Sequence, residues 1–160
     1  MDGLLVALTV VTALGCGLNA GVFFAFSSFV MKALARLQPA QGIAAMQSIN
    51  LVAVTPAFMA ALFGTAAAAV AVAVWALVDW NAAYGSYLLA GGACYLIGTI
   101  GLTIAYHVPR NDALATLQPQ HAEVAGRWAR YVAEWTRGNH LRAAASLAAA
   151  VSFTLALRMG

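Results

Sequence analysis

The chain has 160 residues, of which 63% are hydrophobic and 8% charged, with a net charge of +3. Soluble domains carry about 45–50% apolar and about 25% charged residues, so this composition cannot cover a water-soluble globule; it predicts an all-α integral membrane protein of one domain, residues 1–160. The basic balance, with a pI near 9.2, does not point to nucleic acid, because the positive charges lie beside apolar runs and form no patch of their own.

The N-terminus, "MDGLLVALTV", holds an acid and no base, and a cleaved signal peptide is not expected. The first apolar run is Leu4 to Met31, with Asn19 near its middle and Gly17 and Gly21 as small residues suited to close helix contact. In the following "LQPAQGIAAMQSIN", Pro39 suits the first position of a helix. That helix is expected to run into the second apolar run, Leu51 to Val78, with a bend at Pro56. The short turn "DWNAAYG" places Trp80 and Tyr84 at interfacial depth. The third run is Tyr84 to Tyr106, with a small-residue face of Ala90, Cys94 and Gly98. Cys16 and Cys94 both lie inside apolar runs and read as packing residues rather than a disulfide.

Pro109 is expected to end the third span, and a helical pattern resumes near Pro119. From His121 onward, Val124, Trp128, Tyr131, Trp135, Asn139, Arg142 and Ser146 recur at steps of three and four, which puts them on one face of a single helix. That helix is expected to start before residue 130 and to continue through the fourth run, Leu141 to Leu157, with Gly138 as a point of weakness or bending. The result is an antiparallel four-helix bundle with spans at about 4–31, 51–78, 84–106 and 141–157 and helices extending on the cytoplasmic side.

Orientation rests on the basic residues. Lys32, Arg36, Arg110, Arg127, Arg130, Arg137 and Arg142 fall on one side and Arg158 alone on the other. Both long connections are therefore expected in the cytoplasm and both termini outside, which for a bacterial protein means the inner membrane. The lipid bilayer is the first partner implied. The small-residue faces also leave a homo-oligomer open.

The polar residues share one depth. His107 and Asn111 close the third span, Asn139, His140 and Arg142 open the fourth, Gln47 and Asn50 open the second, and Asn19 lies within the first. Intramembrane polar groups face the bundle interior, so an inner-leaflet pocket is expected. Each residue also has a plainer reading: Arg142 as an interfacial anchor, Trp128 and Trp135 as belt aromatics, Asn139 as a helix cap, Asn19 as a helix–helix bond, His107 and His140 as interfacial side chains. Nucleotide, P-loop, CxxC and HExxH motifs are missing. Asp112 and Glu134 are too few for a carboxylate-bridged di-iron site, and the histidines match no haem or copper spacing, so no cofactor is expected, with haem or a metal ion as the lesser alternative.

"GLNAGVFFAFSSFVMKAL", "MQSIN", "HVPRNDALA" and "WTRGNHLRAAASLAAA" resemble, in this order and over about Gly17 to Ala150, the anthrone-oxygenase-like family of small integral membrane proteins. The resemblance implies cofactor-independent oxidation of a flat phenol, anthrone or quinone-like molecule. It assigns His107 or His140 as the base and Asn19, Asn50, Asn111, Trp135, Asn139 and Arg142 as substrate-binding residues. Family members commonly carry Asn where this chain has His107 and an aromatic residue where it has Gly138. Beside the oxygenase stand two other readings: a membrane binding or structural protein without turnover, and a haem- or metal-binding redox protein.

Overall fold

The computed structural model describes residues 1–118 and 123–160; the expected resumption of helix near Pro119 and the start of the stripe at His121 lie outside them. The described residues form five helices. Four are long and apolar enough to cross a membrane: α1 (Gly3–Leu34), α3 (Pro56–Val78), α4 (Gly85–Ala115) and α5 (Val124–Met159). Between the first two of these lies α2 (Pro39–Val52). Only about a third of each apolar window is buried inside the bundle. Large apolar side chains such as Leu14, Val78, Ile97 and Leu141 point outward, an arrangement that water would penalise and lipid tails would not.

α1, α3, α4 and α5 pack as an antiparallel bundle. Both termini meet at one end, where the Met1 amino group donates to the Gly160 carbonyl at 3.2 Å. That terminal end is closed by small residues. Gly91 lies against the Phe153 ring, which a Cβ would approach to 3.0 Å, and Gly98 lies against Ala145, whose methyl a Cβ would approach to 2.5 Å. Gly98 and the half-buried Cys94 thus serve the expected small face of the third span, but Ala90 is exposed. Gly17 and Gly21 are exposed, and a Cβ on either would meet nothing. Within this chain it is Gly15, against Thr65, that lets α1 approach α3.

The opposite end is built differently. α2 lies against α5 because Gly42 has no side chain: a Cβ there would come within 2.7 Å of the Trp128 ring. Gln47 Nε2 donates to the Leu114 and Leu117 carbonyls at 2.8 and 3.2 Å and so ties α2 to the end of α4. Met31, Ile43, Met46, Leu114, Trp128, Tyr131 and Trp135 form the core there.

Two prolines behave otherwise than the sequence predicts. At Pro56 the chain breaks rather than bends: residues 53–55 are not helical, and the Thr55 hydroxyl caps a new helix by accepting from Phe58 N at 3.2 Å. At Pro109 the helix does not end but runs on to Ala115. The turn before it, Thr103–His107, is π-helical, and Val108 N donates to the Thr103 carbonyl. The ladder has already shifted when the proline arrives, and Arg110 Nη1 donates to the Tyr106 carbonyl at 3.0 Å. A proline is tolerated in a membrane helix when side chains and π turns satisfy the released carbonyls.

π turns recur in α1 (Phe26–Val30), α3 (Ala60–Gly64) and α4 (Cys94–Gly101). Their neighbourhood takes side-chain donors: Ala61 O receives Asn19 Nδ2 at 3.1 Å and Thr65 Oγ1 at 2.6 Å, and Leu62 O receives the Tyr95 hydroxyl at 3.0 Å. α5 is continuous through Gly138.

Candidate functional site

A cavity of about 260 Å³ lies among α1, the end of α2, the break at 53–55, α3, α4 and α5. Its wall is mostly apolar and aromatic, with Phe23, Phe26, Phe58 and Phe63 contributed by α1 and α3. Three of the four π turns supply lining residues: Phe26, Leu62 with Phe63, and Thr103 with His107. π turns concentrate at functional sites because one extra residue in a turn re-aims the side chains beyond it.

Five of the predicted site residues line this cavity: Asn50, His107, Asn111, Trp135 and Arg142. Arg142 is buried. Its Nη2 donates to Asn139 Oδ1 at 2.6 Å and its Nη1 to Thr103 Oγ1 at 3.2 Å, while Nε has no partner. The guanidinium lies 4.2 Å from the Phe23 ring centroid and 5.4 Å from that of Trp135. No carboxylate faces it: the ion pair among the described residues is Arg110–Glu134. A buried cation held by neutral groups alone remains under-compensated, because burial removes its hydration and leaves no opposite charge in return.

Asn139 stands behind Arg142 rather than in the wall. Its Nδ2 donates to the Phe23 carbonyl at 2.6 Å and to Ser27 Oγ at 2.7 Å, so its oxygen is held toward the guanidinium. The side chain therefore joins α1 to α5 and aims Arg142; the capping reading fails, since α5 passes straight through. Asn111 Oδ1 accepts from the Tyr131 hydroxyl at 2.9 Å and from Trp135 Nε1 at 3.0 Å. With two donors on the oxygen, the amide orientation is set and its NH2 half is left for other partners.

His107 is buried, and neither ring nitrogen has a hydrogen-bond partner. The ring stands edge-on to Trp135 with centroids 4.9 Å apart, and against Tyr106 at 5.3 Å. Beneath it lies Gly138, where a Cβ would come within 3.0 Å of His107 Nε2 and would collide with the Tyr106 ring. The two positions at which the chain departs from the resembled pattern thus lie against each other, and the Tyr106 ring, with the imidazole beside it, takes the space that a side chain at 138 would need.

Two predicted residues lie elsewhere. His140 is exposed and does not line the cavity. It follows Asn139 by one residue, and a step of about 100° carries it off the inward face. Asn19 is buried but bonds the Gly15 and Ala61 carbonyls at 2.8 and 3.1 Å, a helix–helix contact. Thr103, Ser27 and Phe23 were not singled out from the sequence. Thr103 had a signal, four residues before His107 on the same face; the role of Phe23 as carbonyl acceptor and ring had none. Trp128 and Trp135 are buried rather than set in an interfacial belt. Among the described residues, no three of His, Cys, Asp and Glu converge as a metal-binding group.

Fold and site together define an all-α membrane bundle with a small aromatic cavity, one buried unpaired arginine and one unpartnered histidine at a single end. The family model for anthrone oxygenase matches residues 55–152, and the chain belongs to that family. The matched stretch takes in all of α3 and α4 and α5 up to residue 152, and with them His107, Asn111, Trp135, Asn139 and Arg142; α1 and α2 fall outside it. Comparison with curated proteins and with solved structures finds no match.

Proposed function

We propose that the protein oxidises a flat, apolar phenol or anthrone in this cavity without a cofactor, using dioxygen. The observation that carries the reading is the pairing, in one mostly apolar aromatic cavity, of an arginine without a carboxylate and a histidine without a hydrogen-bond partner. A neutral imidazole accepts a proton from the activated CH2 of an anthrone, leaving an enolate. Arg142 then supplies the charge that the enolate oxygen lacks in water-free surroundings, with the NH2 groups of Asn50 and Asn111 as further donors. The electron-rich enolate passes one electron to dioxygen. The two radicals join in a C–O bond, and the hydroperoxide loses water as the second C–H proton leaves, giving the quinone carbonyl. One dioxygen is consumed, and one water formed, per quinone. Trp135 and the phenylalanines offer faces for ring stacking.

The same reading puts the cavity end in the cytoplasmic leaflet and both termini outside. With Arg142 inside the bundle, the basic residues still divide six to one. A cysteine at Ala82 labelled from the cytoplasm would overturn that orientation. The chemistry is tested with purified protein and anthrone: oxygen uptake matched to anthraquinone formation is expected, unaffected by chelators. Colour from haem, or uptake abolished by chelation, would move the protein to the redox alternative. Binding without uptake would leave a polar cluster that only joins helices.

A further inference from the structure

The second crossing starts at Pro56 directly after a break at residues 53–55, which separates it from α2. Outside the bundle at this level lies a shallow furrow, and its lining residues Val22, Phe26, Ile49, Ala53 and Phe58 also line the cavity. Furrow and cavity are therefore two sides of one wall made of side chains. Leu51, Val52 and Val54 beside it are apolar and 67–79% exposed. Apart from Arg142 inside the cavity, neither space is lined by a charged residue. The charged groove at this end of the bundle, between α4 and α5, holds Arg110, Arg127, Arg130 and Glu134 and shares no lining residue with the cavity. In a bilayer, an exposed apolar surface faces lipid, so the shared wall faces hydrocarbon and the charged groove faces water.

We propose that the cavity is loaded sideways from the bilayer, through a gate of Phe26, Ala53 and Phe58 at the break before the second crossing. The substrate class follows. It is an uncharged planar aromatic that partitions into membrane and loses its proton only inside, beside Arg142. This rests on the reading of the cavity as a ring-binding site, but the gate is testable without any turnover.

The test uses protein in lipid vesicles with Trp75, Trp80 and Trp128 replaced by Phe, so that Trp135 in the cavity wall is the only fluorophore of its kind. A doxyl-labelled alkane dissolved in the bilayer quenches from the lipid side, and acrylamide quenches from water. Stronger quenching by the alkane is expected, severalfold reduced by Ala53→Phe, which thickens the wall. Phe58→Ala thins the wall and should raise it, so the gate stays testable even if Ala53→Phe fails to fold. Acrylamide quenching as strong as the alkane's, or lipid-side quenching unmoved by the variants, overturns the gate. A protein inert to anthrone still passes or fails this test, so the two readings fall separately.

Discussion

The two ends of the bundle are made from the same apolar helices and differ in what interrupts them. At the terminal end, glycine and alanine let backbones close on one another: Gly91 on Phe153, Gly98 on Ala145. At the cavity end, a break, three π turns and a ring of aromatic side chains hold the helices apart. Toward the closed end most polar groups bond to neighbours, as Thr99 does to Ser146 and Ser152 to the Tyr87 carbonyl, with Thr9 Oγ1 left over. In the cavity end, His107 and the Arg142 Nε are left unpartnered. Unmet hydrogen-bonding capacity in hydrocarbon is expensive; elsewhere among the described residues it falls on single atoms of Thr9, Asn19, Trp128 and Thr136, whereas His107 and Arg142 bring theirs to one cavity wall. The closed end holds the fold together; the open end holds unspent chemistry.

The comparison breaks most sharply at His107. His107→Phe keeps the ring contacts with Trp135 and Tyr106 and removes two partnerless nitrogens. Oxygen uptake with anthrone should fall by about 10²–10⁴-fold, the usual worth of a general base. Thermal stability in detergent should stay level or rise, because the buried polar atoms are gone. Activity surviving in this variant would remove His107 from the mechanism.

Arg142→Lys tests the fork. A lysine cannot reach Asn139 Oδ1 and Thr103 Oγ1 together in planar geometry. Uptake should drop by roughly 10-fold or more for the loss of about 1.4 kcal/mol per decade, with the protein still folded. Full activity would mean that Arg142 is only a positive charge near the interface.

At the closed end, Phe153→Ala should do the reverse. It opens a hole against Gly91 and should cost about 3 kcal/mol, at the low end of the soluble-core range for Phe→Ala, read as a lowered unfolding midpoint. Uptake per folded molecule should not change. If uptake fell with stability intact, the two ends would be coupled rather than separate.

The smallest effect is expected at Glu134→Gln. The Arg110–Glu134 pair at 3.2 Å is partly exposed on both sides, and such pairs are worth about 0–1 kcal/mol. Both stability and uptake should remain close to those of the unaltered chain.

The sequence by itself determined the class of fold, the four crossings, the long last helix and the face it buries, because apolar runs and a 3.6-residue period are local quantities. From Trp128 to Ser146 the predicted stripe is the buried one, with Val124 half-buried. It also brought five of eight candidate residues to one cavity, since depth along a span can be counted. Tertiary structure alone decided azimuth and partners. His140 and Asn139 share a depth, yet one is exposed and the other wholly buried, and Asn19 spends its NH2 on a π-turn carbonyl that no sequence pattern announced. Pro56 and Pro109 look alike in sequence. One stands at a break and the other inside a continuous helix, because the π turn ahead of Pro109 had already rerouted the hydrogen bonds and Arg110 met the Tyr106 carbonyl. Gly17 and Gly21 satisfy a small-residue spacing but face outward, whereas Gly138, expected to weaken α5, makes room for the rings of Tyr106 and His107. Which neighbour a residue meets is a property of how four helices are turned about their axes, and that rotation is set by all their contacts at once.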